Sequence, residues 1–95
     1  MTKEEILGYL SSRKPEFRQI YGVEKIGLFG SYARDEANEQ SDIDIFVRME
    51  PDLFNLSAMK QHIENDLHIT VDIVREHSRM KPLLMERIRK DIIYV

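Results

Sequence analysis

The chain has no cysteine and no tryptophan, four glycines and three prolines among its 95 residues, and no long apolar run. Without cysteine there is no disulfide framework and no thiolate metal site. No stretch approaches the roughly 18 apolar residues that a membrane-crossing helix needs. No basic segment followed by an apolar one opens the sequence, so no secretion signal is expected and the expected location is the cytoplasm. Basic charge is not in excess either. Fourteen Lys and Arg stand against 17 Asp and Glu, for a net charge of −3. Proteins that bind nucleic acid by neutralising phosphates usually carry the opposite balance. A nucleotide would need a cation to bridge its phosphates to an acidic surface.

What is present is the composition of a soluble globular chain, 42% hydrophobic and 33% charged. The length predicts a single domain over 1–95, without internal repeat, linker or low-complexity segment. Such a chain has no room for a separate substrate-recognition domain, so part of any recognition is expected to come from elsewhere.

Thr2 followed by Glu5 is a capping-box pattern, with Ile6, Leu7 and Leu10 at helical spacing behind it. Pro15 is expected to stop that helix, with a short second turn at Phe17 and Ile20. Lys25–Phe29 reads as a strand ending at Gly30, and 31–36 as a short helix that starts straight after the glycine. Residues 37–41 are polar and read as a loop. From Asp42 to Met49 the chain alternates: Ile43, Ile45 and Val47 share one face, Asp42, Asp44 and Phe46 the other. Leu56, Met59, Ile63 and Leu67 predict a helix, and Ile69–Val74 a third strand with Asp72 opposite its apolar face. Pro82 suits the first turn of a last helix carrying Leu84, Met85, Ile88 and Ile92, and Ile93–Val95 a final extended piece. The order predicts an α/β (α+β) domain with a small sheet covered mainly on one face.

Gly30-Ser31, ten residues, then Asp42-Ile43-Asp44 is the informative stretch. A glycine between strand and helix lets a ligand approach the backbone, and the N–H groups that follow can face an anion. Ser31 adds a hydroxyl there, which makes half of a phosphate site. Asp42 and Asp44, two apart on a strand, point from one face with Cα atoms roughly 6.5–7 Å apart. Carboxylates at that spacing can converge on Mg²⁺, which takes oxygen ligands from one or two carboxylates plus substrate phosphates. Asp72, if its strand lies beside the second, reaches the same cluster. Three carboxylates could then hold two cations about 3.5–4 Å apart, as in-line displacement at phosphorus uses them.

Each part alone has a plainer reading. Gly-Ser after a strand is a common turn, Asp-x-Asp on an edge strand is usually solvated, and a single Asp72 could cap a helix or pair with an arginine. Their order and spacing together favour the functional reading. Arg34 could reach a phosphate, or pair with Glu36 or another nearby acid. His62, His68 and His77 lack ligand spacing and are assigned to surface or helix-end roles. Met80, Leu84 and Met85 are expected in the core, and Tyr9, Tyr21, Tyr32 and Tyr94 as packing residues. Arg75, Arg79, Lys81, Arg87, Arg89 and Lys90 concentrate positive charge late in the chain, a solvated face or one that steers an acidic partner or the nucleotide.

Leu28-Phe29-Gly30-Ser31-Tyr32-Ala33-Arg34-Asp35-Glu36, then Ser41-Asp42-Ile43-Asp44-Ile45, resembles the signature of the minimal nucleotidyltransferases of the DNA polymerase β superfamily. Val71-Asp72-Ile73-Val74 resembles the strand that bears that family's third acid. The resemblance covers nearly the whole chain; one departure is Asp35, where many relatives have glycine, which puts the loop after Arg34 in question. It implies a small mixed sheet flanked by helices and transfer of AMP from ATP to an acceptor hydroxyl, with pyrophosphate leaving. By position, Gly30 and Ser31 would hold the β- and γ-phosphates, and Asp42 and Asp44 both Mg²⁺ ions. Asp72 would complete the catalytic metal and help deprotonate the acceptor. The resemblance further implies a HEPN-type ribonuclease toxin as partner, in a type VII toxin–antitoxin pair, with a tyrosine of the toxin as acceptor. Two competing expectations stand beside it: a module that neutralises the toxin by contact alone, and a transferase for a small molecule or an RNA end.

Overall fold

The computed structural model describes residues 1–95. Its first helix, α1 (Lys3–Tyr21), opens on the expected capping box: the Glu5 amide donates to Thr2 Oγ1 at 3.1 Å, and the Thr2 amide donates to Glu5 Oε1 at 2.9 Å. Pro15 does not end this helix, contrary to expectation; α1 runs through it to Gly22, whose φ of 73° closes the last turn. Ser11, whose carbonyl loses its partner, and Pro15 itself are both exposed, so water satisfies that group. Continuing the helix buries Phe17 completely on the face that also buries Ile6 and Leu10. That gain outweighs one hydrogen bond lost to solvent.

Four strands follow: β1 (Val23–Phe29), β2 (Ile43–Met49), β3 (Val71–Arg75) and β4 (Ile93–Tyr94). They form one mixed sheet in the order β3-β2-β1-β4. β1 is antiparallel to β2 and β4, whereas β2 and β3 are parallel, joined by the crossover helix α3 (Leu53–Leu67). The short α2 (Gly30–Ala33) follows β1, and α4 (Pro82–Asp91) precedes β4.

The alternation in β2 settles which face is which. Ile43, Ile45 and Val47 join Ile26, Leu28 and Val71 in a core closed by Ile6, Leu10 and Phe17 of α1 and Met59 and Ile63 of α3. The opposite face carries Gly27, paired with Phe46, and is covered by α4, whose Ile88 is buried. A Cβ at Gly27 would stand 2.8 Å from Ile92 Cδ1 and 2.9 Å from the Ile93 carbonyl, so glycine lets α4 and β4 come down on the sheet. His62 is half-buried: it packs against Phe17 and bonds the Tyr21 hydroxyl through Nδ1 at 2.9 Å, linking α1 to α3. Tyr94 is 41% exposed on the edge strand with the Lys25 ammonium over its ring, and Leu84 is 38% exposed rather than in the core.

Three boundaries differ from expectation in ways that touch the chemistry. The helix expected over 31–36 is one turn, because Asp35 turns left-handed at φ 59° and the Glu36 amide closes back on the Ser31 carbonyl. Asp42 lies just before β2 rather than in it; the ladder with β3 begins at Ile43, whose amide donates to the Thr70 carbonyl at 2.9 Å. His68 ends α3 left-handed at φ 58°, so β3 starts at Val71, two residues later than the alternation predicts.

Candidate active site

The antiparallel register places Asp44 beside Phe29, the last residue of β1, and the parallel register places it beside Asp72. Adjacent strands lie about 4.8 Å apart, so the middle acid is flanked by the start of the Gly30 turn on one side and the third acid on the other. Gly30 has φ 78°, and a Cβ built on it would stand 2.9 Å from Asp44 Cγ, with the carboxylate oxygen nearer still. Only glycine allows both the turn and the carboxylate at this place.

Burial pushes the Asp44 carboxyl up to about 6, helped by the charges of Asp72 and then Asp42, and opposed by Arg34. Asp42 and Asp72 are exposed, whereas Asp44 is half-buried. The three acids therefore interact through Asp44, and each also borders a recess of its own. Asp44 lines a cavity of about 350 Å³ with Gly30, Ser31, Arg34 and Arg87. Asp42 lines a recess of about 690 Å³ under the 37–41 loop, and Asp72 lies at the edge of another with Leu56, Ser57 and Lys60 of α3. No three acidic or imidazole side chains stand close enough to form a ready-made metal cluster.

Of the sequence candidates, Gly30, Ser31, Arg34 and Asp44 thus share one cleft. Arg34 reaches it already paired. Its Nη1 donates to Asp91 Oδ2 at 2.6 Å and its Nε to Glu36 Oε2 at 3.1 Å, so the expected Glu36 pair exists together with a second one. The far wall of the cleft is α4, through Leu84, Arg87, Ile88 and Asp91. Sequence reasoning did not place these residues at the site. Their spacing of 0, 3, 4 and 7 marks one helical face, yet nothing in the sequence says which strands that face crosses.

Comparison with known proteins shows the family and the fold. The nucleotidyltransferase domain model matches residues 10–95. The protein adenylyltransferase MntA of Thermococcus cleftensis is 38% identical over 97 residues, covering 100% of this chain and 97% of that protein. The solved structure of a proposed minimal nucleotidyltransferase superposes with a TM-score of 0.79 at 30% identity, covering 98% of this chain and 95% of that one. A tri-AMPylated HEPN toxin of Shewanella oneidensis in complex with its MNT antitoxin shares the fold, with a TM-score of 0.64 at 21% identity over 93% of this chain and 70% of that one. The mixed sheet and its helices match the minimal nucleotidyltransferase fold, and the chain belongs to the nucleotidyltransferase domain family.

Proposed function

We propose that the chain is a Mg²⁺-dependent protein adenylyltransferase that moves AMP from ATP to a tyrosine hydroxyl of a HEPN-type toxin, and so acts as the antitoxin of a type VII pair. The observation that carries this reading is Asp44: in register with Asp72, packed on Gly30, and held half-buried in the field of two other acids. Like charges so arranged repel, and a hard divalent cation relieves them. The donors are all carboxylate oxygens, which suits Mg²⁺. Asp42 and Asp44 would hold both ions, and Asp72 would complete the catalytic one. Bound there, Mg²⁺ supplies charge neutralisation at the phosphates and a lower pKa for the attacking hydroxyl.

The chain's own residues position the reactants. Gly30 leaves room for phosphate against the backbone, and Ser31 offers its hydroxyl to the β- and γ-phosphates. Arg34, fixed by Asp91 and Glu36, keeps a positive charge beside Asp44. The tyrosine oxygen attacks the α-phosphorus in line, and the new O–P bond forms as the α–β bridging bond breaks. Pyrophosphate leaves with that electron pair, and the phenolic proton passes to Asp72. Such a transfer needs positioning and charge more than covalent help. The toxin partner brings the acceptor. The names of the relatives support the same reading: protein adenylyltransferase for one, antitoxin beside an AMPylated HEPN toxin for another.

Incubating the protein with its HEPN-type partner, ATP and Mg²⁺, then weighing the partner intact, tests it. An added AMP mass on a tyrosine, lost in the Asp42→Asn/Asp44→Asn double variant, is expected. A stable complex without added mass, with the toxin still neutralised by the double variant, would mean neutralisation by contact alone. Labelling of an RNA end or a small molecule instead would overturn the assigned acceptor.

A further inference from the structure

Beside the proposed Mg²⁺, the cleft next to Asp44 offers few side chains to meet phosphate charge. α2 is a single turn of four residues, too short for an appreciable macrodipole. Asp44 is itself acidic. The guanidinium of Arg34 is held by two carboxylates, one of them, Asp91, only 16% exposed. One further cation lines the cavity: Arg87, on the α4 face that also presents Leu84 and Ile88 to the Gly30-Ser31 turn. Arg87 makes no ion pair within the chain.

We infer that Arg87 is the residue that takes the phosphate tail of the nucleotide, closing the cleft from the α4 side opposite Gly30 and Ser31. The inference rests on the nucleotidyl-transfer reading and assigns that site its phosphate-binding cation. A planar guanidinium on one helical turn can bind two phosphate oxygens at once, which no other unpaired side chain of this cavity can do. The packing of α4 holds it in place: Ile88, next in sequence, is buried on the sheet, and Asp91, one turn on, is bonded to Arg34. Phosphate binding and the docking of α4 therefore use adjacent positions of one helix face.

Calorimetric titration of the isolated protein with Mg·ATP reads this without any toxin. Arg87→Ala is expected to weaken binding about tenfold or more, the usual effect of losing a charge-assisted hydrogen bond. Arg87→Lys is expected to bind more tightly than Arg87→Ala, because it keeps the charge but not the fork. Lys90→Ala removes the same charge from the same helix outside the cleft and is expected to change affinity less than about twofold at physiological salt. Magnesium tripolyphosphate, which has the charge without the base, is expected to lose the same factor as ATP in Arg87→Ala. Circular dichroism confirms the fold, and Arg87→Gln replaces Arg87→Ala if the latter unfolds. Wild-type affinity in Arg87→Ala, equal losses in Lys90→Ala, an Arg87→Lys as weak as Arg87→Ala, or unchanged tripolyphosphate binding would each overturn the inference. A wild-type protein that binds no Mg·ATP would instead overturn the nucleotidyl-transfer reading, and this inference with it.

Discussion

Asp44 and Asp72 are direct neighbours across the parallel β2–β3 ladder. Burial first, and then the charge of Asp72, disfavour the ionised form of the half-buried Asp44, whose carboxyl is pushed up to about 6. In the unfolded chain the same group titrates near its ordinary value of 3.8. The folded state thus binds the Asp44 proton more tightly, and stability falls as pH rises from about 4 to about 6. Asp44→Asn removes the charge and is expected to raise stability at pH 7 by on the order of 1 kcal/mol after allowance for solvent screening. Thermal melts at pH 4 and pH 7 check this: the difference between variant and wild type should shrink at the lower pH.

The proposed Mg²⁺ would compete with the same proton. Its affinity, measured by calorimetry with ATP present, is expected to increase through about pH 6 as Asp44 ionises. A flat profile between pH 5 and pH 7 would remove Asp44 from the ligand set.

Asp42 and Asp72 are exposed, so replacing either by asparagine should leave stability within about 0.5 kcal/mol. Transfer activity should nevertheless drop at least about a hundredfold in each, as for the loss of one aimed electrostatic group. Labelling rates beside melting curves separate the two effects.

Gly30→Ala brings a methyl group into the Asp44 carboxylate at a left-handed backbone position. The backbone alone costs about 1–2 kcal/mol, and the displaced acid should abolish labelling. A Gly30→Ala protein with wild-type turnover would contradict the packing of the turn.

Two backbone positions away from the chemistry give opposite signs. Pro15→Ala restores an amide donor inside α1, and denaturant unfolding should show a gain of about 1–3 kcal/mol. Asp35→Val forces a β-branched residue to φ 59° and forfeits the 2.9 Å bond from Lys3, for an expected loss of about 1–2 kcal/mol. Asp35→Gly should stay within about 1 kcal/mol of wild type, since relief of the backbone offsets the lost ion pair.

Patterns governed by local physics were readable in the sequence. The capping box, the alternation of β2, the amphipathic α3 and the proline at the start of α4 all depend on neighbours a few residues away. Asp42, Asp44 and Asp72 stood out because two short spacings and a strand parity fix where they point. Pro15 misled because its local penalty was met by distant burial of Phe17, which the helix had to continue to achieve. Asp35 sits in a left-handed turn that suits glycine, a backbone angle that residue identity alone does not reveal. The α4 wall was hidden for another reason: Leu84, Arg87, Ile88 and Asp91 declare a common face, but only the docking of that helix over Gly27 and Phe46 tells what it confronts.

Because the second and third acids become neighbours only when β2 and β3 align, with the α3 crossover between them, the constellation does not exist in any shorter stretch of chain. A nascent polypeptide still threading through the ribosome with residues 71–75 inside the exit tunnel holds the Gly-Ser turn and two acids but lacks the third. On the proposed transfer chemistry, activity therefore waits for that long-range pairing, and a molecule without β3 is silent.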